Sequence, residues 1–182
     1  MTFPRRSVHR EPKGAKEVAQ HYLRDLVYGA NDGIITTFAV VAGVAGGALS
    51  ARAVLIVGAA NLIADGLSMG VGNYLGIRSQ ESALAARGLP EEEASPVRHA
   101  TATFLAFVCA GAIPLVPYVV LPTADIRLSA AGAFTALFVV GALRSVVTVD
   151  RWWVAGLEML ALGIVVAAAA YAAGAVVGAS LA

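Results

Sequence analysis

Polar and sulfur-containing side chains recur every four residues in an apolar stretch in the second quarter of the chain. The stretch "IADGLSMGVGNYLG" (63–76) contains Asp65, Met69 and Asn73, and Asn61 lies four residues before Asp65. A spacing of four places these side chains in one line along an α-helix. Carboxylate and amide oxygens bind hard or borderline divalent cations, and a thioether adds a softer donor. The mixture indicates Fe(II) or Mn(II), and such weak mixed ligation allows a transported ion to leave again.

A second candidate is Asp32, in the apolar stretch "YGANDGIITTFAVVAGVAGG". Gly29, Gly33, Gly43 and Gly47 run beside it, and small residues at such spacing let two helix backbones approach closely. If the partner is the same helix of a second subunit, two copies of Asp32 face each other and repel unless a proton or a cation lies between them. This pattern predicts a cation path at a homodimer interface. The alternative is a single aspartate that hydrogen-bonds within a kinked helix.

The elements that carry these residues are expected to be membrane-spanning helices. Of the 182 residues, 58% are hydrophobic and 14% are charged, against a charged fraction of about 25% in soluble domains. The apolar residues form long runs rather than alternating with polar ones, which indicates helices embedded in lipid. We therefore predict an all-α polytopic membrane protein with five transmembrane helices, at about 27–49, 53–77, 100–121, 128–149 and 153–178.

The basic residues predict the orientation of these helices. Eleven of the thirteen lysines and arginines fall on the side of the N-terminus, and only Arg52 and Arg127 fall on the other. By the positive-inside rule, the N-terminus is cytoplasmic and the C-terminus lies outside. The chain then divides into a basic cytoplasmic tail (1–25) and a transmembrane domain (26–182) with a short cytoplasmic loop (78–99). The tail has no signal-peptide pattern, and the Ala/Val/Gly-rich spans favour a prokaryotic plasma (inner) membrane.

Two other features of the spans are interpreted as structural. Glu158 lies near the cytoplasmic end of the fifth predicted helix, within reach of Arg144 or Arg151, and is expected to pair with one of them. Pro114 and Pro117 predict a kink in the third span.

Several classes of function lack their usual patterns. No nucleophile–base pair, phosphate-binding loop or cofactor motif is apparent, so we expect neither an enzyme nor a permanent cofactor. No basic patch with interleaved aromatic residues suggests nucleic-acid binding. Cys109 is the single cysteine, which excludes a thiolate metal site within one chain. His9, His21 and His99 show no ligand spacing, so each is expected to be solvated.

The sequence around both candidates resembles the vacuolar iron transporter family, whose yeast branch is known as the calcium cross-complementer. The resemblance rests on "YGANDGIITTFAVVAGVAGG" and "ANLIADGLSMGVGNYLGIRSQE", and the closing "RWWVAGLEMLALGIVVAAAAYAAG" is similar to the family's last helix. It covers nearly the whole chain from about residue 25.

The resemblance implies a five-helix subunit that works as a homodimer, with the ion path between the first two helices of both copies. It implies export of Fe(II), and often Mn(II), from the cytoplasm in exchange for protons. By position, Asp32 matches the family's pore carboxylate and Met69 matches its pore methionine.

The chain also departs from the family pattern. Eukaryotic members have a glutamate at the position of Asn73 and a small residue at that of Asp65. They also insert a glutamate-rich metal-binding domain between the second and third helices, where this chain has only residues 78–99. Some bacterial relatives carry an N-terminal ferritin-like domain, for which this tail is too short.

Two hypotheses follow. The first is a homodimeric transporter whose path is lined by Asp32, Met69, Asp65 and Asn73. In it Asp32 binds the metal, and Asp65 binds it transiently or accepts the counter-proton; both carboxyl groups are candidates for proton coupling. The second is a non-transporting membrane protein that docks a soluble metal-donor or ferritin-like protein through its basic tail and acidic loop.

Overall fold

The structure is a computed structural model that describes residues 7–10, 12–93, 95–121, 125–146 and 148–181. Its elements are α1 (Ala15–His21), α2 (Leu23–Gly46), α3 (Ala51–Ala86), α4 (Pro96–Gly111), a 3₁₀ turn (Ile113–Leu115), α5 (Val116–Val120), α6 (Ile126–Arg144) and α7 (Trp152–Leu181). Five helical segments are long and apolar enough to cross a membrane: α2, α3, α4 continued through α5, α6 and α7. The prediction of an all-α protein with five spans is confirmed.

The helix boundaries differ from the predicted ones where the chain leaves the apolar region. The helix α3 continues to Ala86, nine residues beyond its predicted end, because "RSQESALAA" consists mostly of good helix formers that need no lipid to stay helical. It ends before Gly88, whose φ of 69° suits the turn after a helix. The predicted loop 78–99 is therefore corrected: its first nine residues belong to α3, and its last four begin α4.

The third span is interrupted, as its prolines predict. A 3₁₀ turn at Ile113–Leu115 separates α4 from α5, and Pro114 and Pro117 lie in and just after it. Proline lacks the backbone N–H that would continue the helix. The carbonyl oxygen of Pro114 instead accepts a hydrogen bond of 2.7 Å from the buried Ser129 hydroxyl on α6, so the break is held by a neighbouring helix.

The helix α2 lies at the centre of the bundle and contacts α3, α4, α6 and α7. Its Ile34 and Phe38 are buried together with Phe107 of α4 and Leu137 of α6. Phe38 also meets Phe134 edge-on, with ring centroids 5.3 Å apart. The helix that carries Asp32 is thus held on most sides by other helices of the same chain.

The glycines of α2 make these close contacts possible. Gly29 and Gly33 face α4, and a Cβ on Gly33 would overlap the backbone carbonyl of Phe107. Gly43 and Gly47 face α7, where a Cβ would lie 3.5 and 3.4 Å from its carbonyl oxygens. The four glycines therefore pack helices within one chain. The stripe of small residues predicted to allow close helix contact thus lies against α4 and α7 of its own chain.

We expect Gly33→Ala to lower the stability of the bundle, since its methyl group has no space against α4. The loss should be roughly 1–3 kcal/mol, the usual cost of overpacking. Gly72→Ala is the matched control, because nothing lies within 4 Å of its Cβ position. It should raise the stability of the bundle by about 0.5–1 kcal/mol, since alanine loses less backbone entropy than glycine when the chain folds. Thermal denaturation in detergent measures both, and equal melting temperatures would contradict the packing described here.

Candidate functional site

A cleft of about 400 Å³ opens between α2 and α3 towards the end that carries the N-terminus. It contains two of the predicted site residues, Met69 and Asn73. It is lined by Arg24, Asp25, Tyr28, Met69, Gly72, Asn73, Gly76, Ile77 and Gln80.

A hydrogen bond at the N-terminal end of this cleft sets the register of the two antiparallel helices. The Asn73 amide nitrogen donates to Asp25 Oδ1 at 2.7 Å. From that level, Asp32 lies seven residues along α2, about 10.5 Å, and Asp65 lies eight residues back along α3, about 12 Å. The two carboxylates thus reach a similar depth on neighbouring helices. Along α3, Met69 lies between the level of the two carboxylates and the level of Asn73.

The Asp32 and Asp65 side chains are half-buried and lack compensating groups. Within the part of the chain that the structure describes, neither carboxylate has a hydrogen-bond or ion-pair partner; the contact at Asp32 is from the Thr36 hydroxyl to its backbone carbonyl. A carboxylate in a membrane span costs about 2.5–3.5 kcal/mol on insertion scales. Two such groups at one depth also repel each other, so the arrangement favours a cation or a proton between them.

Met69 and Asn73 have different surroundings. Met69 packs against the hydrophobic core while lining the cleft, so its thioether is fixed in place. The Asn73 amide nitrogen donates to Asp25 and, at 2.8 Å, to the Thr103 hydroxyl. With its donor group used in this way, Asn73 has only its carbonyl oxygen to offer to a cation.

The most buried carboxylate of this region is Asp25, which the predicted domain boundaries place in the tail. It is 5% exposed and also faces His99, whose Nδ1 lies 2.5 Å from Asp25 Oδ2. The other ring nitrogen, Nε2, lies 2.8 Å from Glu93 Oε2. The prediction that His99 is solvated is therefore wrong. Two spacings could have indicated this network: Asp25 lies seven residues before Asp32, and Thr103 lies one helical turn after His99.

The other two histidines belong to the same cluster. His9 Nδ1 lies 3.4 Å from Glu93 Oε1, and His21 Nε2 lies 3.5 Å from Glu93 Oε2. The His21 and His99 ring centroids are 4.9 Å apart. The expectation of scattered, solvated histidines fails because tertiary contacts bring the tail, α1, the loop before α4 and α4 itself to one place.

Glu158 pairs with Arg144, as predicted. Arg144 Nη2 lies 3.0 Å from Glu158 Oε2 and 3.4 Å from Asp150 Oδ2. This group ties α7 to the end of α6, the arrangement that the structural interpretation of Glu158 predicts.

Comparison with known proteins gives consistent matches. The sequence model described as "VIT family" matches residues 23–88 and 83–175. A protein named vacuolar iron transporter from Toxoplasma gondii is 44% identical over 71 residues, which are 39% of this chain and 24% of that protein. Rice vacuolar iron transporter homolog 5 is 36% identical over 104 residues, 52% of this chain and 50% of that protein. Arabidopsis thaliana vacuolar iron transporter 1 is 26% identical over 212 residues, 84% of this chain and 85% of that protein.

The alignments cover different shares of the relatives. The alignments to the first two relatives span about a quarter and a half of those proteins. The Arabidopsis alignment is longer than this whole chain, so that relative has residues without a counterpart here. The two matched pieces of the family model overlap at 83–88, around the end of α3. This is the place where the family resemblance implies an inserted domain in eukaryotic members.

Proposed function

This chain belongs to the VIT family, and we propose that it carries a divalent transition-metal ion, Fe(II) or Mn(II), out of the cytoplasm. It is an integral membrane protein with five spans. Several of its relatives bear the name vacuolar iron transporter, which supports metal transport. We further propose that the protein is not an enzyme and that its membrane is a prokaryotic plasma membrane.

The observation that carries this proposal is the unpaired Asp32–Asp65 pair. A structural carboxylate in a span is expected to have a partner, as Asp25 and Glu158 do. Asp32 and Asp65 lie at one depth on adjacent helices and have none among the described residues. A divalent cation would compensate both charges at once, which explains why two acids are kept in the membrane.

Each cleft residue then has a role in the path. An ion that enters beside Asn73 meets its carbonyl oxygen, then the Met69 thioether and then the two carboxylates. Asp32 holds the ion, and Asp65 receives it transiently. When the ion leaves, the repulsion between the two acids is relieved by a proton, since a low-dielectric setting favours the neutral form of a carboxyl group. Alternation between metal and proton at one pair of acids is the chemical basis of an antiport.

We place the path at a homodimer interface, as the family resemblance implies. The bonds of Asn73 and Asp25 hold α2 and α3 together beside the cleft, whereas α3 presents an exposed surface next to Asp65 that includes Ala64, Ser68 and Gly72. A partner's α3 on this surface would shield the acids from lipid. The glycines of α2 already pack against α4 and α7 of the same chain, so this interface depends on α3 rather than on the glycine stripe.

The direct test is metal flux in proteoliposomes that contain the full chain. We expect Fe(II) and Mn(II) to cross faster than in protein-free vesicles, and an imposed pH gradient to change the rate. Zn(II) serves as a comparison for selectivity. Flux that ignores the gradient would exclude proton antiport while leaving metal transport in place.

The docking hypothesis has a distinct outcome in the same assay. In this structure the tail and the acidic loop bind each other, through the Val8 amide and the Glu91 carbonyl at 2.9 Å, which leaves less of both for a soluble partner. If the folded protein shows no flux, the transport proposal is excluded and the docking hypothesis is favoured.

A further inference from the structure

We propose that His9, His21 and Glu93 form a second metal site, which binds a borderline divalent transition-metal ion such as Fe(II), Co(II) or Zn(II). The site lies outside the Asp32–Asp65 path, where the tail, α1 and the loop before α4 meet. Metal binding at this site does not depend on transport. A role of the site in capturing metal for the path, by contrast, rests on the proposed function.

The ligand atoms already have the separations that a shared ion requires. One ligand atom from each of the three residues lies within 4.8 Å of the other two. The contacts from His9 and His21 to Glu93, at 3.4 and 3.5 Å, are longer than N–H···O hydrogen bonds. Two atoms that each lie about 2.1 Å from one ion in a tetrahedral arrangement are about 3.4 Å apart. The two histidine–glutamate separations therefore match those of ligand atoms that share one ion.

The chemistry of the donors defines the class of ion. Two imidazole nitrogens with one carboxylate are the set that proteins use for catalytic zinc and for non-haem iron(II). Mg(II) and Ca(II) prefer oxygen donors and would bind weakly here. The side chains of His9, Glu93 and His21 are 7%, 18% and 24% exposed, so an ion would be partly shielded and would keep access to solvent.

The backbone explains why these residues meet although they are far apart in sequence. Ser7 and Glu91 form a parallel bridge, and two residues further along both segments the register brings His9 opposite Glu93. His21 reaches the same place from the last turn of α1. A cleft of about 840 Å³ beside α1 extends to His21, so this ligand is reached from solvent.

Glu93 is also oriented in the way that metal-binding carboxylates usually are. Its Oε1 accepts a hydrogen bond of 2.8 Å from the Ser95 amide, and its Oε2 lies 2.8 Å from His99 Nε2. Such supporting contacts hold a ligand in place and are a regular part of metal sites. His99 in turn contacts Asp25, which lines the Asn73–Met69 cleft, so the proposed site adjoins the path.

Cobalt(II) is the probe that tests this site, since its visible spectrum reports nitrogen ligands and coordination number. We would titrate the purified full chain in detergent, with Asp32→Asn as the background so that binding in the path is suppressed. We expect one Co(II) per chain with the intense absorption of a four-coordinate site. His9→Ala and His21→Ala should each weaken binding at least about tenfold. Glu92→Gln is the matched control: it removes a neighbouring exposed acid and should leave the affinity unchanged.

The outcomes separate the two proposals. The second site is overturned if both histidine variants elute as folded protein and bind Co(II) as tightly as their background. It is also overturned if Glu92→Gln weakens binding as much as they do. If the Co(II) signal is lost in the histidine variants but the intact chain shows no flux, the site stands and the transport proposal fails. If the site feeds the path, His21→Ala should raise the metal concentration needed for half-maximal flux and leave the maximal rate unchanged.

Discussion

Asp32→Asn should reduce metal flux at least about tenfold while the helix bundle remains folded. The asparagine keeps the size and one carbonyl oxygen of the side chain but removes the charge that compensates a cation. The Asp32 side chain has no hydrogen-bond or ion-pair partner among the described residues, so no structural contact is lost with it. The change also removes an ionisable group from a membrane span, so we expect no loss of melting temperature.

Proteoliposome flux and thermal denaturation, measured on the same preparation, check this prediction. Glu158→Gln is the matched control, because it makes the same acid-to-amide change in a spanning helix, at a residue paired with Arg144 and away from Asp65. That exposed pair is worth little, so the control should keep near-normal flux. Full flux through a folded Asp32→Asn protein would exclude this carboxylate as a metal ligand in the path.

The spans could be predicted from the sequence because lipid imposes a simple rule. A segment in the hydrocarbon must be helical and apolar over about 20 residues, so composition alone identifies it. The rule does not apply beyond the membrane surface, where α3 continues through "RSQESALAA" because these residues favour a helix. Hydropathy alone therefore predicts a loop for the last nine residues of this helix.

The carboxylates proposed to line the path stand out in the sequence for a related reason. An acid in an apolar run, such as Asp32 or Asp65, is conspicuous whatever its neighbours are. The sequence does not show which of these acids have hydrogen-bond or ion-pair partners. The pairing of Asp25 with His99 joins residues 74 positions apart, and that of His9 with Glu93 depends on a bridge between the tail and a loop. Both arise from tertiary contacts that no local periodicity records.

The structure thus contains two kinds of buried acid along one pair of helices. Asp25 is surrounded by donors from α3 and α4 and ties these helices to α2. Asp32, two turns further along the same helix, has none among the described residues. Carboxylates in similar sequence settings therefore differ in the partners that the fold supplies. On this difference rests the proposal that Asp25 stabilises the bundle and that Asp32 is available to an ion.

That contrast leads to the largest expected effect on stability. We expect Asp25→Ala to lower the free energy of unfolding by about 3–5 kcal/mol, since it removes the buried carboxylate that faces both the buried His99 ring and the half-buried Asn73 amide. Asp25→Asn should cost less, because an amide oxygen can still accept from Asn73. Denaturation in mixed micelles measures the loss, and Asp150→Ala, which removes an exposed acid near Arg144, should change stability by about 0–1 kcal/mol.

A double-mutant cycle with His99→Ala shows whether the loss comes from the pair itself. If the buried Asp25–His99 contact carries the stability, removing both residues should cost clearly less than the sum of the single losses, because neither group is then left buried alone. Additive losses would mean that the two residues stabilise α2 and α4 independently. The same Asp25→Ala protein is expected to lose flux only in proportion to the folded protein that it loses, whereas Asp32→Asn loses flux without losing fold.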